Sequence, residues 1–213
     1  MKRDEILSGL LESAAGMGLH LTERAAGRLL EFMALLAERA VPLGLISRGD
    51  LPRLYHRHII DSLRAATVFT AEDRLAFDLG SGAGLPGIVL AAAMPRCSFV
   101  LIEPRRLRVG FLELAVDSLG LPNVEVAPVR VEDLAPARLA DVVTARGFAP
   151  LAPTWRAASR LLRPSGRLIY FAGESLADPI SEARGAARTG VSAEIRAERV
   201  LARSPPLVIM ART

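Results

Sequence analysis

The stretch Asp78-Leu79-Gly80-Ser81-Gly82-Ala83-Gly84-Leu85-Pro86-Gly87 decides how the rest of the chain is read. It follows a short apolar run, Leu75 to Leu79, and precedes another, Ile88 to Met94, closed by Pro95. Alternating glycines let a backbone turn tightly and approach a ligand closely. Pro86 suits the first turn of a helix, where its missing N–H is not needed. Strand, glycine turn and helix in this order form the opening unit of a nucleotide-binding α/β domain. A phosphate-cradling P-loop is excluded, because neither Lys-Ser nor Lys-Thr follows Gly87.

Downstream, β-rich runs alternate with helical stretches: Ser98 to Glu103, Val124 to Val129, Asp141 to Ala145 and Arg167 to Phe171. Such alternation predicts a parallel sheet wrapped by helices. The last two runs, Ala193 to Leu201 and Leu207 to Ala211, are separated only by residues 202–206. That connection is too short for a parallel crossover and suits an antiparallel hairpin. Upstream, from Asp4 to Leu63, apolar residues recur at helical spacing (Ile6, Leu7, Leu10, Leu11; Leu29, Leu30, Met33, Leu36), with Thr22 as an N-cap. The chain therefore reads as a doubly wound, mostly parallel, seven-stranded α/β domain over residues 64–213. A helical N-terminal extension over residues 1–63 packs on its functional edge, and the only candidate break is the short one near Phe69 to Asp73.

Composition narrows the function. With 213 residues, 51% hydrophobic and 23% charged, disordered and collagen-like chains are excluded. Basic residues number 27 against 23 acidic ones, a net charge of +4, and Lys2 is the only lysine. The planar fork of arginine suits phosphates and base edges, so this bias reads either as a nucleic-acid partner or as an arginine-favouring genome. Cys97 alone gives neither an intrachain disulfide nor a cysteine zinc site, and His20, His56 and His58 are the only imidazoles. No metal is expected, and a reducing cytoplasm fits. Met1-Lys2-Arg3-Asp4-Glu5 leads into an amphipathic stretch, and the longest apolar run is far short of the roughly 18 residues of a membrane span. A soluble cytoplasmic protein without membrane contact is expected.

Two cofactors fit the glycine stretch. Gly82-x-Gly84-x-x-Gly87 matches the dinucleotide fingerprint, with Glu103, 21 residues past Gly82, as the ribose acid. The overlapping register Asp78-x-Gly80-x-Gly82-x-Gly84 is similar to that of S-adenosylmethionine-dependent methyltransferases of the same doubly wound class, again with Glu103 on the ribose. Val131-Glu132-Asp133, placed to meet a nucleoside base after the third strand, and the terminal hairpin favour the second register. A nicotinamide enzyme usually needs more chain for its substrate.

Four segments then fall into a familiar order: Arg57-His58-Ile59-Ile60-Asp61-Ser62-Leu63, the glycine stretch, Arg130-Val131-Glu132-Asp133 and Arg146-Gly147-Phe148-Ala149. Over roughly Leu29 to Gly173 the chain resembles the bacterial ribosomal RNA small subunit methyltransferase G family, also called glucose-inhibited division protein B. The resemblance implies a Rossmann-like class I methyltransferase that moves a methyl group from S-adenosyl-L-methionine to N7 of a guanine in 16S rRNA. It implies 16S rRNA or a small-subunit assembly intermediate as partner, and a monomer is expected. A cofactor site of Gly80, Leu85, Val131, Glu132 and Arg146 is implied too, to which the glycine-loop reading adds Asp78, Ser81, Gly82 and Glu103. Gly44-Leu45-Ile46 departs from the family's usual Asn-Leu-Thr, and Leu107 and Ala172 stand where lysines are usual. These departures touch RNA contacts rather than the glycine loop, and Arg48, Arg105 and Arg106 are the nearby arginines able to compensate.

Guanine N7 carries a free lone pair, so its methylation is an in-line displacement that calls for alignment and for no general base, triad or metal. Thr144-Ala145-Arg146-Gly147-Phe148 stands where amino-group methyltransferases usually carry an Asn/Asp-Pro-Pro-aromatic segment, and Cys97 precedes the second strand, away from the reactive edge. Arg57, His58 and Asp61 share a predicted helix and read as a surface ion-pair group or as RNA-facing. Arg105, Arg106 and Arg108 read as phosphate contacts, Arg156, Arg160 and Arg163 as a solvated helix stripe, and Trp155 and Tyr170 as packing. Arg146 either reaches a peripheral group of cofactor or base, or is a structural arginine paired with Asp61 or Glu132. A methyltransferase of another RNA or a small molecule, an NAD-dependent oxidoreductase and a non-catalytic RNA-binding module remain the alternatives.

Overall fold

The computed structural model describes residues 3–173, 185, 190–196 and 205–213. Helices α1 (Arg3–Gly16) and α2 (Glu23–Leu35) open the chain. Thr22 caps α2, its hydroxyl accepting from the Ala25 N–H at 3.2 Å, and the helical spacing buries Leu29, Phe32 and Leu36. A π-helical turn (Leu54–Ile60) then leads into α3 (Asp61–Leu63).

From here strands and helices alternate. β1 (Leu75–Leu79), α4 (Gly87–Ala93), β2 (Ser98–Ile102), α5 (Arg106–Leu119) and β3 (Val124–Ala127) form one wing. β4 (Ala140–Arg146), α6 (Leu151–Leu161), β5 (Leu162–Phe171), β6 (Val191–Arg196) and β7 (Leu207–Arg212) form the other. The sheet order is β3-β2-β1-β4-β5-β7-β6, with the first five strands parallel and β7 antiparallel to both neighbours. The order reverses between β1 and β4, which puts the ligand crevice at their carboxyl ends.

Side chains alternate across each strand and so feed two cores. Phe99, Leu101, Val142, Ile169 and Ile209 share one with α2, α4 and α5. Phe77, Leu79, Val143, Leu168 and Met210 share the other with α6. The N-terminal helices thus cover one face of the sheet.

Two features depart from the sequence reading. β5 begins at Leu162 because Leu162 pairs with Ala140 ahead of a register shift between Ala140 and Val142. Arg163 therefore leaves the predicted arginine stripe, joins β5 and pairs with Asp141 at 2.6 Å, while Arg156 and Arg160 stay exposed on α6. Trp155 and Tyr170 are buried as packing residues, and the Tyr170 hydroxyl donates to the Ala149 carbonyl. The predicted end of β6, after Arg196, lies outside the described residues. No helix among the described residues is long and apolar enough to cross a membrane.

Arg64, only 1% exposed, joins two distant parts of the chain. Its Nη2 donates to Asp61 Oδ1 at 2.6 Å and to the Pro205 carbonyl, just before β7, at 2.9 Å. Removing one member of a buried pair leaves the other charge desolvated. Arg64→Ala is expected to lower the unfolding free energy by about 3 kcal/mol in a urea titration; a change within experimental error would contradict this account of the pair.

Candidate active site

The Asp78 carboxylate lies beneath the glycine loop and is almost fully buried. Its Oδ1 accepts the Thr144 hydroxyl of β4 at 2.7 Å, and its Oδ2 accepts the Gly87 N–H at 3.3 Å. Ser81 Oγ donates to the Asp78 carbonyl at 2.9 Å. Burial pushes the Asp78 pKa up from 3.8 to about 6, with the Thr144, Ser81 and Gly87 hydrogen bonds opposing the rise. The Gly80 and Ser81 N–H groups both donate to the Ile102 carbonyl, tying the loop to the end of β2. Gly80 has φ +65°, and a Cβ there would lie 2.9 Å from Phe148 Cδ2; at Gly87 it would lie 2.7 Å from Asp78 Oδ2. Neither position has room for a side chain. Asp78 and Ser81, read from sequence as cofactor-binding, are thus placed under the loop as its braces.

Glu103 follows β2 and is likewise buried. Its Oε2 accepts from the Gly82 N–H at 3.1 Å and from Arg108 Nη1 at 3.3 Å, and its Oε1 accepts the Arg105 N–H at 3.0 Å. The spacing of 21 residues between Gly82 and Glu103 is therefore a direct contact. Arg105 and Arg106 are exposed, but the Arg108 guanidinium is drawn to Glu103, so the three arginines do not form one phosphate-facing group. After β3, a 3₁₀ turn (Val131–Asp133) buries Val131 and exposes Glu132. Leu85 is half-buried in the glycine loop itself.

At the end of β4, Arg146 meets the N-terminal segment. Its Nη1 lies 3.4 Å from Asp61 Oδ2, and its Nη2 donates to the Arg57 carbonyl at 2.9 Å. The guanidinium also stands 5.9 Å over the Phe171 ring. Burial pulls the Arg146 pKa below its usual value, and Asp61 opposes that shift. Asp61 thus bridges Arg64 and Arg146, the structural pairing that the sequence left as one of two readings.

His58 Nδ1 is 3.4 Å from Arg146 Nη2. A guanidinium only donates, so this geometry assigns Nδ1 as acceptor and leaves the ring proton on Nε2, which faces Asp50 Oδ2 at 3.8 Å. Arg57 Nε also lies 3.8 Å from Asp50. His58 and Asp61 are both buried, which removes the surface ion-pair reading. Thr144, Arg64 and Asp50 are the site residues that sequence reasoning missed. Only Thr144 carried a signal, as a hydroxyl inside the apolar run of a buried strand that must find a partner.

Comparison with known proteins resolves the choice of cofactor. The family model of rRNA small subunit methyltransferase G matches residues 26–201. The ribosomal RNA small subunit methyltransferase G of Clavibacter sepedonicus is 40% identical over 158 residues, 74% of each chain. That of Mycolicibacterium gilvum is 38% identical over 195 residues, 87% of this chain and 83% of the relative. The chain belongs to the rRNA small subunit methyltransferase G family. It is accordingly an S-adenosylmethionine-dependent rRNA methyltransferase, and the nicotinamide reading of the glycine stretch falls away.

Solved structures agree on the fold. The ribosomal protein L11 methylase of Lactobacillus delbrueckii subsp. bulgaricus matches with a TM-score of 0.58 at 13% identity, over 74% of this chain and 79% of that one. The glycopeptide N-methyltransferase MtfA, solved with S-adenosylmethionine, matches with a TM-score of 0.56 at 10% identity, over 72% and 93%.

Among the described residues no cluster of three or more His, Cys, Asp or Glu is placed to hold a metal. Burial pushes the Cys97 thiol up to about 12, away from the nucleophilic thiolate.

Burial, reinforced by Arg146, pulls the His58 pKa down from 6.5 to about 4 against the influence of Asp50. Between those values the unfolded chain binds a proton that the folded site refuses. The group therefore contributes its stability above 6.5 and loses it as pH falls toward 4. In an NMR titration the His58 ring resonances should stay constant from about pH 8 to about pH 5; a midpoint near the ordinary 6.5 would refute the neutral, Arg146-facing imidazole.

Proposed function

We propose that this family member methylates N7 of a guanine in 16S rRNA, free or within a small-subunit assembly intermediate, and that it does so as a monomer in the bacterial cytoplasm. The observation that carries this reading is the arrangement around the crevice between β1 and β4. The braced loop and Glu103 stand on one side, and a fixed guanidinium, Arg146, on the other.

The residues present fit the cofactor. The buried Glu103 carboxylate is anchored beside the glycine loop by the Gly82 and Arg105 N–H groups, which suits it to accept from ribose hydroxyls. A carboxylate has about four lone-pair directions, and the longest of its three present contacts, to the one-third exposed Arg108, is the one a ribose hydroxyl would displace. When bound, S-adenosylmethionine supplies an electrophilic methyl group on a sulfonium. Half-buried Leu85 and buried Val131 would give its adenine apolar contact, and exposed Glu132 a polar one.

The chain's own contribution is alignment. Guanine N7 needs no deprotonation, so the residues have only to hold the acceptor in line and exclude water. Arg146 sits at the rim of the crevice, tethered by Asp61, the Arg57 carbonyl and neutral His58. Held there, it can reach a peripheral group such as guanine O6 without placing its charge beside the methyl, where it would oppose the positive charge developing on the ring. Arg105 and Arg106 extend the cationic surface toward the RNA backbone.

Mass-spectrometric mapping of 16S rRNA from cells with and without the gene tests this directly. A single N7-methylguanine present only with the gene is expected. Identical rRNA from both strains, or a gene-dependent methyl group on another atom, would overturn the assignment.

A further inference from the structure

We propose that a groove between α5 and the turn following α2 receives an unpaired base of the RNA, next to the nucleotide being methylated. This rests on the rRNA reading above and adds a base-binding subsite to it. The groove has a volume of about 410 Å³, and Leu43, Leu107, Phe111 and Leu114 form its apolar walls. Leu43, Leu107 and Leu114 are 44%, 56% and 43% exposed, and they are three of the five large apolar side chains exposed on the described surface. Such concentration marks a binding surface rather than scattered surface leucines.

The sequence of α5 builds the groove. Leu107, Gly110 and Leu114 recur at helical spacing on one face. A Cβ at Gly110 would meet nothing within 4 Å, so the missing side chain leaves the floor between the leucines open. Arg106 and Leu107, which line the groove, open α5 three and four residues after Glu103, whose carboxylate accepts from the Arg105 N–H and from Arg108 Nη1. A strand of RNA that leaves the cofactor crevice along the start of α5 would pass these residues.

Charge selects the occupant. Arg39, Arg106 and Glu38 line the groove, two cations against one carboxylate, and neither guanidinium has an ion pair or hydrogen bond among the described residues. Apolar walls beneath two unpaired guanidinium groups match a nucleotide, with its base on the leucines and its phosphates on the arginines. Paired RNA presents no base face to such a groove. The N7 edge of a paired guanine also lies in the deep, narrow major groove that side chains do not reach, so the substrate must be locally unpaired in any case.

The test uses Leu43→Ser/Leu107→Ser/Leu114→Ser, substitutions at exposed positions. Thermal unfolding and S-adenosylmethionine binding report whether fold and cofactor site are intact. Affinity is measured for a single-stranded RNA oligonucleotide and for the fully paired duplex of the same sequence. The triple variant should bind the single strand about tenfold more weakly, with an unchanged salt slope and unchanged duplex affinity. Arg39→Gln/Arg106→Gln should instead flatten the salt slope, by about 0.7 per lost phosphate contact.

Wild-type single-strand affinity in the folded triple variant would overturn the proposal. If sedimentation also showed a wild-type dimer that the variant cannot form, the groove would be an interface between copies. Methylation of 16S rRNA by the wild-type protein separates this failure from failure of the functional reading. If wild type methylates and the triple variant equals it at limiting RNA, the groove alone is wrong; if wild type leaves rRNA unmethylated, the functional reading is.

Discussion

The Asp78 carboxylate, buried between β1, β4 and the start of α4, is the contact on which the site depends. Parallel pairing of β1 with β4 sets Asp78 opposite Thr144, which brings the hydroxyl to one carboxylate oxygen. The other oxygen holds Gly87, across the glycine loop. Glycines lose the most conformational freedom on folding, so a loop with three of them at positive φ needs fixed points along its length. Asp78 supplies them from below and the Ile102 carbonyl from the side. Burial of this carboxylate is unfavourable and pushes its pKa up, and the loop conformation is what that burial secures.

A second constraint ties the N-terminal helices to the chemistry. Arg64, Asp61 and Arg146 alternate in charge across a largely buried junction, with neutral His58 beside them. Each charge in the series has an opposite neighbour, which is the condition for keeping charges out of water. The segment Arg57 to Leu63 thereby positions a guanidinium that belongs to β4, far away in sequence. The N-terminal helices are part of the site as well as of the core they share with α4 and α5.

What could be read from sequence follows from which signals are local. The strand runs were legible because side chains alternate with period two and glycine or proline punctuates each end; the terminal hairpin followed from a connection too short to cross over. The start of β5 was not legible, since it depends on Leu162 finding Ala140 across the sheet, and the misplacement of Arg163 followed from that. At the site, the spacing from Gly82 to Glu103 brings the two into contact because strand and helix lengths fix that distance. The inward direction of the Asp78 side chain and the convergence of Arg146, Asp61 and His58 are tertiary facts with no local signature. Resemblance to the family singled out those residues without showing that they touch.

We propose that the braced loop and Glu103 form a preorganised site for S-adenosylmethionine. Calorimetric titration of the wild-type protein and of Glu103→Ala tests it most directly, because Glu103 touches the loop at Gly82 yet stands outside the Asp78 brace. S-adenosylmethionine is expected to bind and NAD is not, and the substitution is expected to weaken binding by about 1.5 to 3 kcal/mol while the protein stays folded. Equal affinity of the folded variant for S-adenosylmethionine, or NAD binding in its place, would contradict it.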